Sequence, residues 1–159
     1  MAQLFRPLLA GLALALSGTC ATAADTGPEP APVARPAAAD PLAAARVQIA
    51  AQRWAAAIDE LKKLDAGGSA DWNNLMGYAL RKQARPDLDG AQRHYDAALR
   101  IDPKHQGALE YSGELALMKG DLATAEARLA TLGRLCSSPC EALDDLKRAV
   151  ASYKAGGKR

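Results

Sequence analysis

Three stretches of this chain repeat one another at an interval of 34 residues, and that leaves few folds open to it. They are "RWAAAIDELKKLDA", "DLDGAQRHYDAALRIDP" and "DLATAEARLATLGRLC". Ala57, Ala91 and Ala125 are each 34 apart, as are Leu61, Tyr95 and Leu129, and Trp54, Leu88 and Leu122. An alanine column lets two helices approach closely, and columns of large apolar residues fill the space between units. One helix pair cannot bury its apolar face alone, so units of this kind stack on one another.

The segments that precede these stretches agree. "WNNLMGYALRKQ" and "LEYSGELALMKG" align Gly77 with Gly113, a spacing of 36 whose two extra residues fall in the turn "QARPDLD". Asp102-Pro103 closes a unit. The period, the glycine and alanine columns and the closing Asp-Pro resemble the tetratricopeptide repeat family. The likeness runs over roughly 115 of the 159 residues. It implies an all-α fold: a right-handed superhelix of about three helix-turn-helix repeats and a C-terminal capping helix. The repeats run over 41–70, 71–105 and 106–138, within a domain spanning 41–154. The first is degenerate: Ala45 stands in place of the glycine, and its turn "AQR" lacks the usual Gly-Asp.

The predicted helices are 41–52, 54–65, 71–84, 87–101, 106–119 and 121–135, with a capping helix over 139–154. Leu143, Leu146, Val150 and Tyr153 give that last helix an apolar stripe, and Asp144, Asp145, Lys147 and Arg148 lie mostly away from it. Asp40-Pro41 predicts the first helix start, with Asp40 as cap. Strand signals are nearly absent, since β-branched residues are few and no run alternates.

Before the repeats lie two segments of other character. "MAQLFRPLLAGLALALSGTCATAADTG" has one early base, Arg6, an apolar run from Leu8 to Leu16 and small residues ending in Ala21-Thr22-Ala23. That is the layout of a cleavable secretory signal over 1–23. The apolar run is too short to span a membrane, which takes about 20 residues. Cys20 departs from the bacterial lipobox, because Thr19 precedes it and Leu16 lies four residues before; a lipid anchor there is the lesser alternative. Residues 24–40 form the next segment, and five prolines occur from Pro28 to Pro41, with alanine and few large apolar residues between them. This composition predicts an extended, unfolded linker. Residues 155–159 form a short tail. The expected location is therefore exported and periplasmic.

The chain carries a formal charge of +2, and loss of the signal removes one base and no acid. A nearly balanced surface without a basic stripe excludes nucleic acid as partner. No Ser/His/Asp or Cys/His grouping and no phosphate loop is visible, so an enzyme is not expected. The predicted cofactor set is empty, and no metal site is expected. His94, expected on an exposed helix face, and His105, in a turn between units, have no ligand spacing.

Cys136 and Cys140 remain once Cys20 leaves with the signal. In an oxidising compartment they are expected to form a disulfide that pins the turn before the capping helix. Ser138 at N-cap, Pro139 at the first position and Glu141 at the third read as a capping box. A thiol-redox or copper-handling role for the two cysteines is the alternative from another class, and a purely structural homo-oligomer is a third.

The family likeness implies that the first helix of each repeat builds an inner, concave wall. Carried over by position, the wall offers Arg46; then Asn74, Tyr78 and Arg81; then Glu110, Glu114 and Leu117. Asparagine can bond a peptide backbone, tyrosine can stack, arginine can pair a carboxylate, and the two glutamates suit a basic or amide-rich segment. Some members clamp a C-terminal carboxylate with several lysines and asparagines; Glu110 and Glu114 stand on that wall here, so the clamp is not reproduced. Trp72 and Met76 are read as packing residues. The functional expectation is a non-enzymatic scaffold that binds a protein or extended peptide and supports assembly of an envelope complex.

Overall fold

The computed structural model describes residues 40–137 and 139–156. The predicted signal, all of the predicted linker except Asp40, Ser138 and the last three residues lie outside the described residues. Seven α-helices and no strand occur among those described: α1 (Ala43–Ala50), α2 (Trp54–Lys62), α3 (Ala70–Lys82), α4 (Leu88–Ile101), α5 (Gln106–Met118), α6 (Leu122–Leu135) and α7 (Glu141–Lys154). The all-α class is thus the one observed. No described helix is long and apolar enough to cross a membrane.

Local chemistry sets the helix starts. Ser69 Oγ accepts from Trp72 N–H at 3.2 Å, Asp87 Oδ1 from Gly90 N–H at 2.7 Å, His105 Nδ1 from Ala108 N–H at 3.0 Å, and Asp121 Oδ1 from Thr124 N–H at 2.9 Å. Each satisfies a backbone donor that the first helical turn leaves free. Asp87 and Asp121 share a column, and the residue 34 before Asp87 is Arg53, where α2 begins without a side-chain cap. Gly90 lies close beside the Asp87 carboxylate, which would have to shift to admit a Cβ, and Thr124 occupies the equivalent position beside Asp121.

Two starts differ from the expectation. Asp40 Oδ1 accepts from Leu42 N–H at 2.9 Å, so it orders the turn ahead of α1, and the helix opens at Ala43 rather than in Pro41. The capping helix opens at Glu141, with Cys140 at N-cap in extended backbone and no side-chain cap bond. Pro139 lies in the preceding bend rather than at the first helical position. Cys136 is extended as well. The disulfide joining Cys136 and Cys140 therefore spans a non-helical turn with Cα atoms 5.9 Å apart, within the ordinary range for such a bond.

The helices stack by alternation. Each odd-numbered helix packs on its chain neighbours and on the next odd helix, α1 on α3, α3 on α5 and α5 on α7. The described α2, α4 and α6 touch only their chain neighbours. The three alanines of the repeat column, Ala57, Ala91 and Ala125, are fully buried. Three apolar clusters follow one another along the stack. Leu61, Met76 and Ala79 centre the first, Tyr95 and Leu115 the second, and Leu109, Leu132 and Leu146 the third. A Cβ at Gly77 would come within 2.7 Å of the Tyr95 ring and 3.1 Å of the Ala91 carbonyl. A Cβ at Gly113 would come within 2.7 Å of Leu146 on α7. Both glycines thus serve close approach.

The turns between helices reproduce the sequence spacing. In α5–α6, Gly120 sits at φ +82°, Asp121 N–H donates to Ala116 O at 2.8 Å, and Gly120 N–H donates to Leu117 O at 3.1 Å. The α1–α2 turn has the same pattern: Arg53 N–H donates to Gln48 O at 2.8 Å and Gln52 N–H to Ile49 O at 2.9 Å. Both are Schellman closures, which need a left-handed residue. Gln52 fills that role at φ 55°. The α3–α4 turn holds the two additional residues and closes through Asp87 N–H to Leu80 O at 3.1 Å.

Candidate functional site

The residues that sequence reading placed on one wall lie on α1, α3 and α5, with Arg81, Glu114 and Leu117 around one cleft, Glu110 at another and Arg46 beside Asp40. Their exposure differs from the expectation. Asn74, Arg81 and Glu110 are buried, at 7%, 6% and 8% exposure, where side chains facing solvent were expected. The cause is the closeness of α3 and α5. Gly107 lets the Asn74 amide lie against the start of α5: a Cβ there would be 2.9 Å from Asn74 Nδ2. Tyr78, Glu114 and Leu117 are half-buried, and Arg46 is exposed on α1, paired with Asp40 at 3.1 Å.

At the α3–α5 joint, Arg81 meets four partners. Its Nη2 lies 2.7 Å from Glu114 Oε2, as an ion pair rather than a well-aligned hydrogen bond. Its guanidinium carbon is 5.6 Å from the centroids of both the Tyr78 and Tyr111 rings, within cation–π reach. Nη1 approaches Met118 Sδ at 4.0 Å. The two tyrosine rings are 4.5 Å apart, and Trp54 on α2 meets Tyr78 edge-on at 5.7 Å. Burial opposes the Arg81 charge, but Tyr95 and Glu114 outweigh it and raise the pKa. The arginine that sequence reading offered to a partner's carboxylate is thus already matched by Glu114 of its own chain.

Titration of the neighbouring groups follows burial first. Tyr78 and Tyr111 are pushed up by desolvation and by nearby glutamates. Tyr95, fully buried, is pushed up by desolvation against the opposing pull of Arg81. Glu110 is pushed up to about 8, chiefly by burial, then by Glu114, Asp145 and Glu141, with Arg81 opposing.

Two clefts flank this joint. One, of about 180 Å³, is bounded by Arg81 and Lys82 of α3, Glu114, Leu117 and Met118 of α5, and Ala149 and Tyr153 of α7. Its lining mixes apolar and charged side chains, and Met118 in it is 39% exposed. The other, of about 300 Å³, lies between the first turns of α5 and α7 and is lined by Gln106, Glu110, Tyr111, Glu141 and Asp145.

Sequence reading missed Asp145, Ser152 and Tyr153 as wall residues because α7 was treated only as a cap, and it passed over Tyr111 of α5. The signal was present: Ala149 follows Gly113 by 36, as Gly113 follows Gly77. His94 also departs from the expectation. It is half-buried, its ring 5.5 Å from Trp72 and its Nδ1 3.0 Å from Asn73 Oδ1, and burial lowers its pKa. His105 caps α5 and bonds Asp71 at 3.0 Å through Nε2. Among the described residues, no three His, Cys, Asp or Glu side chains are grouped as metal ligands would be. No family model matches the sequence, and comparison with curated proteins gives no match.

Proposed function

We propose that this chain is an exported scaffold of the tetratricopeptide type, with three repeats and a capping helix, and that it acts without catalysis. It holds an extended segment of a protein partner across α3, α5 and α7 and so supports assembly of a complex in the periplasm. The observation that carries the reading is the pair of clefts on the odd-helix face. They lie on either side of an aromatic and ionic joint that keeps α3 and α5 in fixed register. Side chains held by packing present a surface that loses little entropy on binding. The face mixes aromatic rings, an exposed methionine and carboxylates, a composition suited to protein recognition.

Photocrosslinking from the cell envelope tests it. A photoreactive residue at the exposed Met118 should capture a discrete partner, and one at Asp59, exposed on α2, should not. Equal capture at both positions, or none at Met118, sinks the groove.

A further inference from the structure

Among the described residues, Glu110 is 8% exposed and has neither a hydrogen-bond nor an ion-pair partner, yet it lines the cleft between α5 and α7. Glu141, exposed and lining the same cleft, is in no ion pair among the described residues either. Asp145, the third carboxylate, is paired with Arg148 of its own helix. A buried carboxylate is costly to keep charged unless a cation meets it. Nothing on the facing helices supplies one: Glu114, Asp145 and Glu141 face Glu110, and Arg81, the base that acts on it among the described residues, is paired with Glu114. The carboxylates are not grouped tightly enough for a metal ion. Their spread around a volume of about 300 Å³ suits a larger cation, and Tyr111 offers a ring for an alkyl stem or a cationic head.

We propose that the α5–α7 cleft receives the ammonium or guanidinium of a lysine or arginine in the partner's extended segment. The proposal rests on the groove reading and adds the partner's chemistry. Binding of a cation draws Glu110 to its charged form. Affinity therefore rises with pH up to about 8, and binding below that pH releases a proton.

The test uses the full chain and pools of heptapeptides randomised around a fixed centre of Lys, Arg, norleucine or Glu. Lys and Arg pools should bind about tenfold more tightly than the norleucine pool, the scale of one charge-assisted contact. Glu110→Gln should erase that preference. Glu141→Gln, at the exposed rim, should reduce it and serves if the first variant loses helicity. No preference for the basic pools, or a preference untouched by both substitutions, overturns the proposal. Cadaverine binding without peptide enrichment also overturns it, since the cleft would then take free amines. Capture through Met118 with no basic preference removes the cleft proposal and leaves the groove. Basic enrichment without capture at Met118 leaves the cleft and removes the groove.

Discussion

The first turn of the stack is built against its own backbone preference, and correcting it should stabilise the protein measurably. Gln52 holds φ 55° in the Schellman closure where the equivalent turn of α5–α6 has Gly120 at φ +82°. A non-glycine residue in the left-handed region costs about 1–2 kcal/mol, against which glycine's greater freedom in the unfolded chain weighs about 0.5–1 kcal/mol. Gln52→Gly should therefore gain about 0.5 kcal/mol. Arg53 begins α2 without a side-chain cap, in the column where Asp87 and Asp121 accept from Gly90 and Thr124 N–H. Arg53→Asp should add about 1 kcal/mol, the usual worth of such a cap. Together they should raise Tm by about 5 °C for a domain of this length. Thermal melts followed by far-ultraviolet circular dichroism read the result, with the two changes made singly and together because adjoining positions couple. A Gly120→Ala control should lower Tm by a similar amount. If Gln52→Gly and Arg53→Asp both leave Tm unchanged, the turn is not strained and its equivalence to α5–α6 is wrong.

Other perturbations separate the remaining interactions. Ala91 is fully buried with its carbonyl against Gly77, so Ala91→Leu should overpack that seam and cost about 1–3 kcal/mol; urea midpoints at or above wild type would count against it. Glu110 has a folded pKa of about 8, above its unfolded value of about 4.3, so the folded state holds the extra proton. Its contribution is fully present below the unfolded value and lost as pH rises towards about 8; urea midpoints should fall over that window in wild type relative to Glu110→Gln, and coincident curves would exclude the effect. Reducing the Cys136–Cys140 bond should cost about 2 kcal/mol in the chain-entropy view. Reductant should lower Tm of the wild type and leave a Cys136→Ser, Cys140→Ser variant unmoved.

Much of the fold was legible because period and burial answer to the same columns. The alanines at 57, 91 and 125 have no exposed surface, and the two additional residues found by comparing Gly77 with Gly113 lie in the α3–α4 turn. What escaped was chemistry between units. Spacing shows that Arg81 and Glu114 lie on neighbouring first helices, but not that α3 and α5 approach closely enough for the two to meet. Burial of Asn74 likewise depends on Gly107, a residue outside the repeated columns. The cysteine pair was readable as a pair, while its capping box was not: hydroxyl and glutamate spacing cannot tell which residue a covalent turn will hold in extended backbone. The wall residues of α7 were missed for a different reason, since Tyr153 was assigned to its apolar stripe with Leu143, Leu146 and Val150, and Asp145 to its polar face.

The joint between α3 and α5 clarifies how a stack of such similar units can be specific. Columns of alanine and glycine pack well in more than one register, because a slip of one helical turn still sets small residues against a neighbouring helix. Charged side chains at the seam do not tolerate that slip. In the observed register Arg81 has Glu114 at 2.7 Å and two aromatic rings at 5.6 Å. Moved by about 5.4 Å along either axis, one helical turn, it would be a buried cation without its carboxylate. The pair adds little net stability over an apolar substitute, since desolvation opposes its attraction. Its effect is on uniqueness: it makes the alternatives worse. The same geometry leaves Glu110, one turn before Glu114 on α5, with no cation paired to it among the described residues. The side chain that fixes the stack and the side chain left open to a partner are thus neighbours on one face, separated by whether α3 presents an arginine opposite.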